Sequence, residues 1–262
     1  MTDPFLFPAP LAQALVQMRH IWTQEWLTCL CVFGGYLVLG ATGFGSALVL
    51  VPLLSIRWPL EQVVPLVLVL DIGATLFSAG LHFRGIDRRL VVSLLPFLLI
   101  GAWLGAQAHG VVNDAILLGL LGLYIVWVGV NGLLHRKPTA AARGVPAPAA
   151  GVIFGMIETL LGVVGPIAMI WLSARLEDIR QLRMTLPVVI LFTSSIALAM
   201  GVSTGKFQIQ PLAHWVSALV PFMLVGVWLG NRLADRIKAS TLAASTYLLL
   251  VASGISAFGH SV

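Results

Sequence analysis

Two carboxylates of this sequence lie inside long apolar stretches. Asp71 is central in the stretch 63–83, and Glu158 lies in the first half of the stretch 147–174. An acid at membrane depth is costly, so it is a functional candidate by default. Two roles are open: proton coupling, and acceptance of hydrogen bonds from backbone amides of a nearby turn. An ionised carboxylate would repel an anion, so an anion site here requires a protonated acid or an arginine partner.

Small residues interrupt two of the apolar stretches, at GATGFGSA (Gly40 to Ala47) and ETLLGVVGP (Glu158 to Pro166). A turn at each interruption would start a second half-helix, whose first amides carry partial positive charge and suit an anion. Glycine also lets backbone approach a ligand closely. Close packing between helices is the alternative explanation for the glycines. The candidate substrate-binding residues at the two turns are Thr42, Gly43, Phe44, Gly45, Ser46, Thr159, Gly162, Gly165 and Pro166.

Other polar side chains could assist such a site. Thr193 and Ser194 fall near the level of Asp71 and could donate hydrogen bonds to anion oxygens. The alternative for every hydroxyl in a membrane helix is a bond to its own backbone or to a neighbour. Arg57 follows the first apolar stretch, where it could supply charge at the mouth of a pathway or anchor the interface with Trp58.

The amino-acid composition indicates which kind of secondary structure must position these residues. Hydrophobic residues make up 59% of the 262 and charged residues only 10%, against about 25% charged residues in soluble domains. Apolar stretches of about 20 residues match helices that cross hydrocarbon, and the short alternating segments of a barrel are missing. The sequence therefore predicts an all-α polytopic membrane protein. The apolar segments are 27–56, 63–83, 90–108, 115–134, 147–174, 184–202, 212–233 and 241–258.

The chain contains an internal duplication. Pro96 to Gly105 reads PFLLIGAWLG, and Pro221 to Gly230 reads PFMLVGVWLG, with identical residues at seven positions. Duplicated membrane proteins commonly place their site where the two halves meet. We therefore divide the chain into an N-terminal interfacial segment 1–26, a first repeat 27–134, a cytoplasmic linker 135–150 and a second repeat 151–262.

The basic residues indicate how the segments cross. If every segment crosses, the 15 lysines and arginines divide eight to seven between the two sides. If the long first segment of each repeat turns back, only Arg19, Arg57 and Lys206 remain on one side and twelve lie on the other. The positive-inside rule favours the second arrangement. It predicts two inverted repeats, each with a glycine-broken re-entrant or long first segment plus three transmembrane helices.

The glycine-rich segments resemble those of a known family. GATGFGSALVLVP (Gly40 to Pro52), GMIETLLGVVGP (Gly155 to Pro166) and the two GxWLG motifs are similar to the TauE/SafE family, the sulfite exporter and toluenesulfonate permease group. The resemblance implies a bacterial inner-membrane, multi-pass transporter of sulfite, sulfonates or related organosulfur anions. Family members commonly carry further glycines at the turns, where this chain has Ser46 and Val164.

The expected function is secondary transport of a small sulfur anion by alternating access at the repeat interface. Since no ATP-binding motif is present, gradients would supply the energy, with protons as the candidate coupling ion. The alternatives are a passive anion channel and an intramembrane hydrolase using Ser46, but His82, His109 and His214 all lie near span ends. We expect no metal, no cofactor and no nucleic acid partner. The expected partners are the anion and the lipid bilayer, and a homodimer remains open.

The predicted topology can be tested by labelling. Cysteines introduced at Ala140 and Val262 should react with an impermeant maleimide from opposite sides of the membrane, because the linker is expected inside and the C-terminus outside. Labelling of both positions from the same side would contradict the inverted repeats.

Overall fold

The structure is a computed structural model that describes residues 18, 21–79, 86–109, 111–133, 144–176, 178–208 and 212–234. Every regular element in these ranges is a helix, which confirms the predicted all-α class. The predicted segment 241–258, most of the segment 1–26 and most of the linker lie outside the described residues. The helices are α1 (Trp26–Thr42), α2 (Ser46–Leu54), α3 (Leu60–Ala79), α4 (Arg88–Ala108), α5 (Asp114–Leu133), α6 (Ala147–Leu161), α7 (Gly165–Ser173), α8 (Ile179–Ser203) and α9 (Ala213–Ala234).

Four of these helices are long and apolar enough to cross a membrane. They are the helical stretches Leu60–Ser78, Arg88–Ala108, Gln181–Ser203 and Ala213–Ala234. Each contains an internal proline: Pro65, Pro96, Pro187 and Pro221. Proline is tolerated inside membrane helices because neighbouring helices and side chains satisfy the freed backbone groups. A polar side chain caps the start of α4: Asp87 accepts a 3.0 Å hydrogen bond from the Leu90 amide.

The first apolar segment is a helical hairpin. Gly43 and Gly45 take the left-handed conformation between α1 and α2, with φ values of 85° and 102°. Arg57, just after α2, pairs with Glu25, just before α1, at 3.1 Å. A continuous helix would separate these two residues by about 48 Å at 1.5 Å per residue. The chain therefore turns back at the glycines, as the sequence predicted.

The fifth apolar segment has the same form. Gly162 ends α6 in the left-handed conformation, with φ of 68°. The rings of Phe154 in α6 and Trp171 in α7 contact edge to face at 5.8 Å, and Trp171 Nε1 donates a 3.0 Å hydrogen bond to the Val145 carbonyl. The nine-residue α7 is only about 14 Å long, too short to cross hydrocarbon by itself.

The repeated decapeptides lie in α4 and α9, and each of these helices packs against the hairpin in the other half of the chain. In α4, a methyl group built on Gly105 would lie 2.9 Å from the Met156 carbonyl of α6. In α9, a methyl group built on Gly226 would lie 2.7 Å from the Phe33 carbonyl of α1. Glycine is thus needed for close approach of two backbones.

Buried hydrophobic side chains form two clusters. The first cluster is built from α1, α2, α3, α5 and α9. The second cluster is built from α4, α6, α7 and the N-terminal half of α8. Each hairpin tip reaches into the cluster of the other: Phe44 packs against the second cluster, while Leu160, Leu161 and Val163 belong to the first. The two hairpin tips therefore meet where the two clusters join.

The close helix pairing predicts the effect of a single methyl group. Gly155→Ala would place Cβ 2.7 Å from the Ala102 amide nitrogen, and such overpacking costs about 1–3 kcal/mol. We expect a lower thermal unfolding midpoint in detergent. Gly34→Ala in α1 is the matched control, because nothing lies within 4 Å of the added methyl. Equal midpoints for the two variants would contradict the described packing of α4 on α6.

Candidate functional site

The two hairpin tips line a small cavity of about 20 Å³, which is room for about one water molecule. The first hairpin lines it with Leu39 and with residues 44–48, and the second with Glu158 and residues 162–166. Asp71 of α3 and Ile190 of α8 complete the lining. The second half-helices α2 and α7 begin at this cavity, at Ser46 and Gly165. The two interruptions singled out in the sequence therefore lie at one place in the fold.

Local hydrogen bonds hold the first tip in shape. The Gly43 amide donates to the Leu39 carbonyl at 2.7 Å, which closes the last turn of α1. Thr42 Oγ1 donates to the carbonyl of Phe44 at 2.6 Å. Left-handed Gly45 then precedes α2. A side chain at either glycine would be strained, because L residues rarely adopt a positive φ.

Asp71 is buried on the first-hairpin side of the cavity. Its Oδ1 accepts hydrogen bonds from the Tyr36 hydroxyl at 2.8 Å and from Ser46 Oγ at 2.7 Å. Tyr36 comes from α1, and Ser46 is the first residue of α2. One carboxyl group therefore ties both arms of the hairpin to the membrane-spanning α3.

Glu158 is also buried, but it lies on the second hairpin itself, in α6. Its Oε2 accepts a 2.8 Å hydrogen bond from the Val164 amide, and its Oε1 accepts a 2.5 Å bond from Ser194 Oγ of α8. The side chain is 1% exposed. Glu158 thus satisfies a backbone amide that the broken helix leaves open, one of the two roles predicted for the buried acids.

Among the described residues, the cavity lining contains acidic side chains but no basic ones. The acidic side chains are Asp71 and Glu158. Arg57, the predicted mouth charge, lies instead at the base of the first hairpin, where it is paired with Glu25 and 54% exposed. Positive potential at the cavity comes from the first turns of α2 and α7, since helix N-termini carry partial positive charge.

The predicted hydroxyls divide into two groups. Ser46 and Ser194 each donate to a buried carboxyl group. Thr159 and Thr193 each donate to the carbonyl four residues earlier in their own helix, and Thr42 shares its one hydroxyl hydrogen between the Phe44 carbonyl and the Val38 carbonyl. This second arrangement is the alternative expected for hydroxyls in membrane helices. Of the two glycines at the first tip, Gly43 faces outward and is exposed, while Gly45 lines the cavity.

Sequence reasoning missed two tyrosines. Tyr36 is fully buried and bonds Asp71. The Tyr124 hydroxyl of α5 is also buried and has no hydrogen-bond partner among the described residues. Their rarity could have pointed to them, because the chain has only three tyrosines. A tyrosine within a membrane span also needs a hydrogen-bond partner for its hydroxyl.

Comparison with known proteins agrees with this architecture. Residues 27–257 match the family model described as "Sulfite exporter TauE/SafE". The chain belongs to the TauE/SafE family. It is 35% identical over 199 residues to the "Probable inner membrane transporter protein TsaS" of Comamonas testosteroni. The aligned region covers 74% of this chain and 82% of that protein. No solved structure matches the chain significantly.

The family relationship and the structure together describe a multi-pass inner-membrane transporter. The matched region begins at residue 27 and so includes both hairpins and every residue that lines the cavity. In this TauE/SafE chain, the motifs that carried the resemblance form the two hairpin tips and the close helix pairs.

Proposed function

We propose that this TauE/SafE protein is a secondary transporter of a small sulfur-containing anion, such as sulfite or a sulfonate, and that the anion binds between the two hairpin tips. One observation carries the proposal: the half-helices α2 and α7 both begin at one shared cavity. Helix N-termini bind phosphate and sulfate groups in many proteins. Two such termini can each offer amide donors to the several oxygens of a sulfur oxyanion.

The backbone provides most of the proposed contacts. First-turn amides of α2 and α7 would donate to the oxygens, and glycines at 45 and 165 allow the chain to come close. Pro166 lacks an amide hydrogen but has the backbone angle of a first helical turn. Ser46 can assist by turning its hydroxyl from Asp71 to the anion, because a hydroxyl rotates to suit its partner.

The two buried acids give the proposed coupling to protons. With no lysine or arginine in the lining, an ionised Asp71 or Glu158 would repel the bound anion. A protonated carboxyl group removes that repulsion and can donate a hydrogen bond. Two tyrosines are the further buried titratable groups in this part of the fold: Tyr36 is bonded to Asp71, and the Tyr124 hydroxyl of α5 is buried. We therefore propose that the anion binds together with a proton.

The pathway follows from the proposed inverted repeats, 27–134 and 151–262. The reciprocal packing of α4 on α6 and of α9 on α1 supports a two-fold relation between them. In alternating access, the two hydrophobic clusters would rotate relative to each other about the hairpin tips. This rotation would open the cavity to one side of the membrane at a time. Export of an anion from a negative interior is favourable by about 2.3 kcal/mol per charge at 100 mV, whereas uptake draws on the proton.

Flux through purified protein in proteoliposomes tests the proposed function. We expect saturable movement of sulfite, sulfoacetate, taurine or an aromatic sulfonate, with a rate that responds to an imposed pH gradient. A non-saturable flux would indicate the passive anion channel. Absence of flux for all of these compounds would refute the assignment to sulfur anions.

The acids give a second prediction. Wild-type flux should fall as pH rises, because deprotonation places negative charge beside the anion. Asp71→Asn and Glu158→Gln fix a neutral side chain, and we expect at least one of them to flatten the pH profile of flux. Glu61→Gln, at an exposed acid in the first turn of α3, is the matched control. Wild-type pH profiles in both acid variants would assign the two carboxyl groups a purely structural role.

A further inference from the structure

We propose that Phe44 sets the size of the anion that the cavity admits. The inference rests on the proposed function, because it concerns the substrate of the same cavity. Phe44 is the aromatic residue of the cavity lining. It lies two residues before the start of α2, at the extreme tip of the first hairpin.

The Phe44 side chain bridges the two helix starts. A methyl group built on Gly165, the first residue of α7, would lie 3.2 Å from Phe44 Cβ and 3.5 Å from Phe44 Cδ2. The ring thus packs directly on the N-terminus of α7 while its own backbone leads into α2. An anion held by both helix starts must lie next to this ring.

The backbone around Phe44 fixes where the ring lies. Gly43 and Gly45 on either side have positive φ values, and Thr42 Oγ1 donates to the Phe44 carbonyl. The ring packs against the second cluster, although the arms of its hairpin belong to the first. Phe44 therefore fills part of the space between the two clusters, where the cavity is.

This placement limits what can be attached to the sulfur atom. If the oxygens of a sulfonate point to the helix starts, its organic group points away from them and competes with the ring for space. Sulfite and methanesulfonate need little room beyond the oxygens. An aromatic sulfonate would need the volume that Phe44 occupies. Apolar pockets discriminate by about tenfold or more for a single methylene group, so removing a whole ring should change the preference measurably.

Binding of two anions of different size tests this role. We would measure dissociation constants of methanesulfonate and benzenesulfonate for purified wild-type protein, Phe44→Ala and Phe44→Leu. We expect Phe44→Ala to raise the affinity for benzenesulfonate relative to methanesulfonate by about tenfold, with a smaller change for Phe44→Leu. Phe222→Ala is the matched control, since this half-buried phenylalanine of α9 packs against Trp22 away from the cavity.

The possible results are distinct. A ratio of the two affinities within about twofold of wild type in both Phe44 variants would overturn the size-filter role. If Phe44→Ala does not fold, the Phe44→Leu ratio decides by itself. An equal change in Phe222→Ala would also overturn the role, because the effect would then be general loosening. Failure of wild-type protein to bind either sulfonate would instead count against the proposed function.

Discussion

A broken helix within hydrocarbon leaves backbone amides and carbonyls without water to bond, and the whole architecture depends on how these groups are satisfied. Glu158 accepts from the Val164 amide, and Thr42 donates to the Phe44 carbonyl. Asp71 and Ser194 connect the hairpins to the spanning helices α3 and α8. Buried polar groups in such a network must all be paired, since an unpaired one is costly. The breaks are stabilised because these side chains pair with backbone groups at the tips and with one another.

The glycine-rich helix pairs place the tips at that cavity. Gly155 on α6 approaches the backbone of α4, and Gly226 on α9 approaches the backbone of α1. Each hairpin is thus held by a helix from the other half of the chain. The two decapeptides are so similar because both are helix-packing motifs in which glycine allows two backbones to approach closely.

Much of this arrangement could be predicted from the sequence, for physical reasons that differ between elements. The hairpins could be predicted because two independent signals agree: glycines at the breaks and the distribution of lysine and arginine. The buried acids were visible because Asp71 and Glu158 are so rare within apolar stretches. The pairing of Ser194 with Glu158 was not predicted, since the sequence gives the depth of a residue but not the rotation of its helix. For the same reason the bond of Tyr36 to Asp71 was not predicted, and the sequence left open whether Thr193 bonds its own backbone, as it does, or a ligand.

The central claim is that the transported anion occupies the cavity between the tips, and protection of a cysteine from alkylation tests it most directly. Ala47 lines the cavity and is 7% exposed, so Ala47→Cys in a background with Cys29 and Cys31 changed to alanine places one thiol at the proposed site. A transported sulfonate at about ten times its dissociation constant should slow the reaction with N-ethylmaleimide about tenfold by occupancy. A cysteine at the exposed Gly144 should react at an unchanged rate. An unchanged rate at position 47 with a sulfonate that the same protein transports would contradict the account.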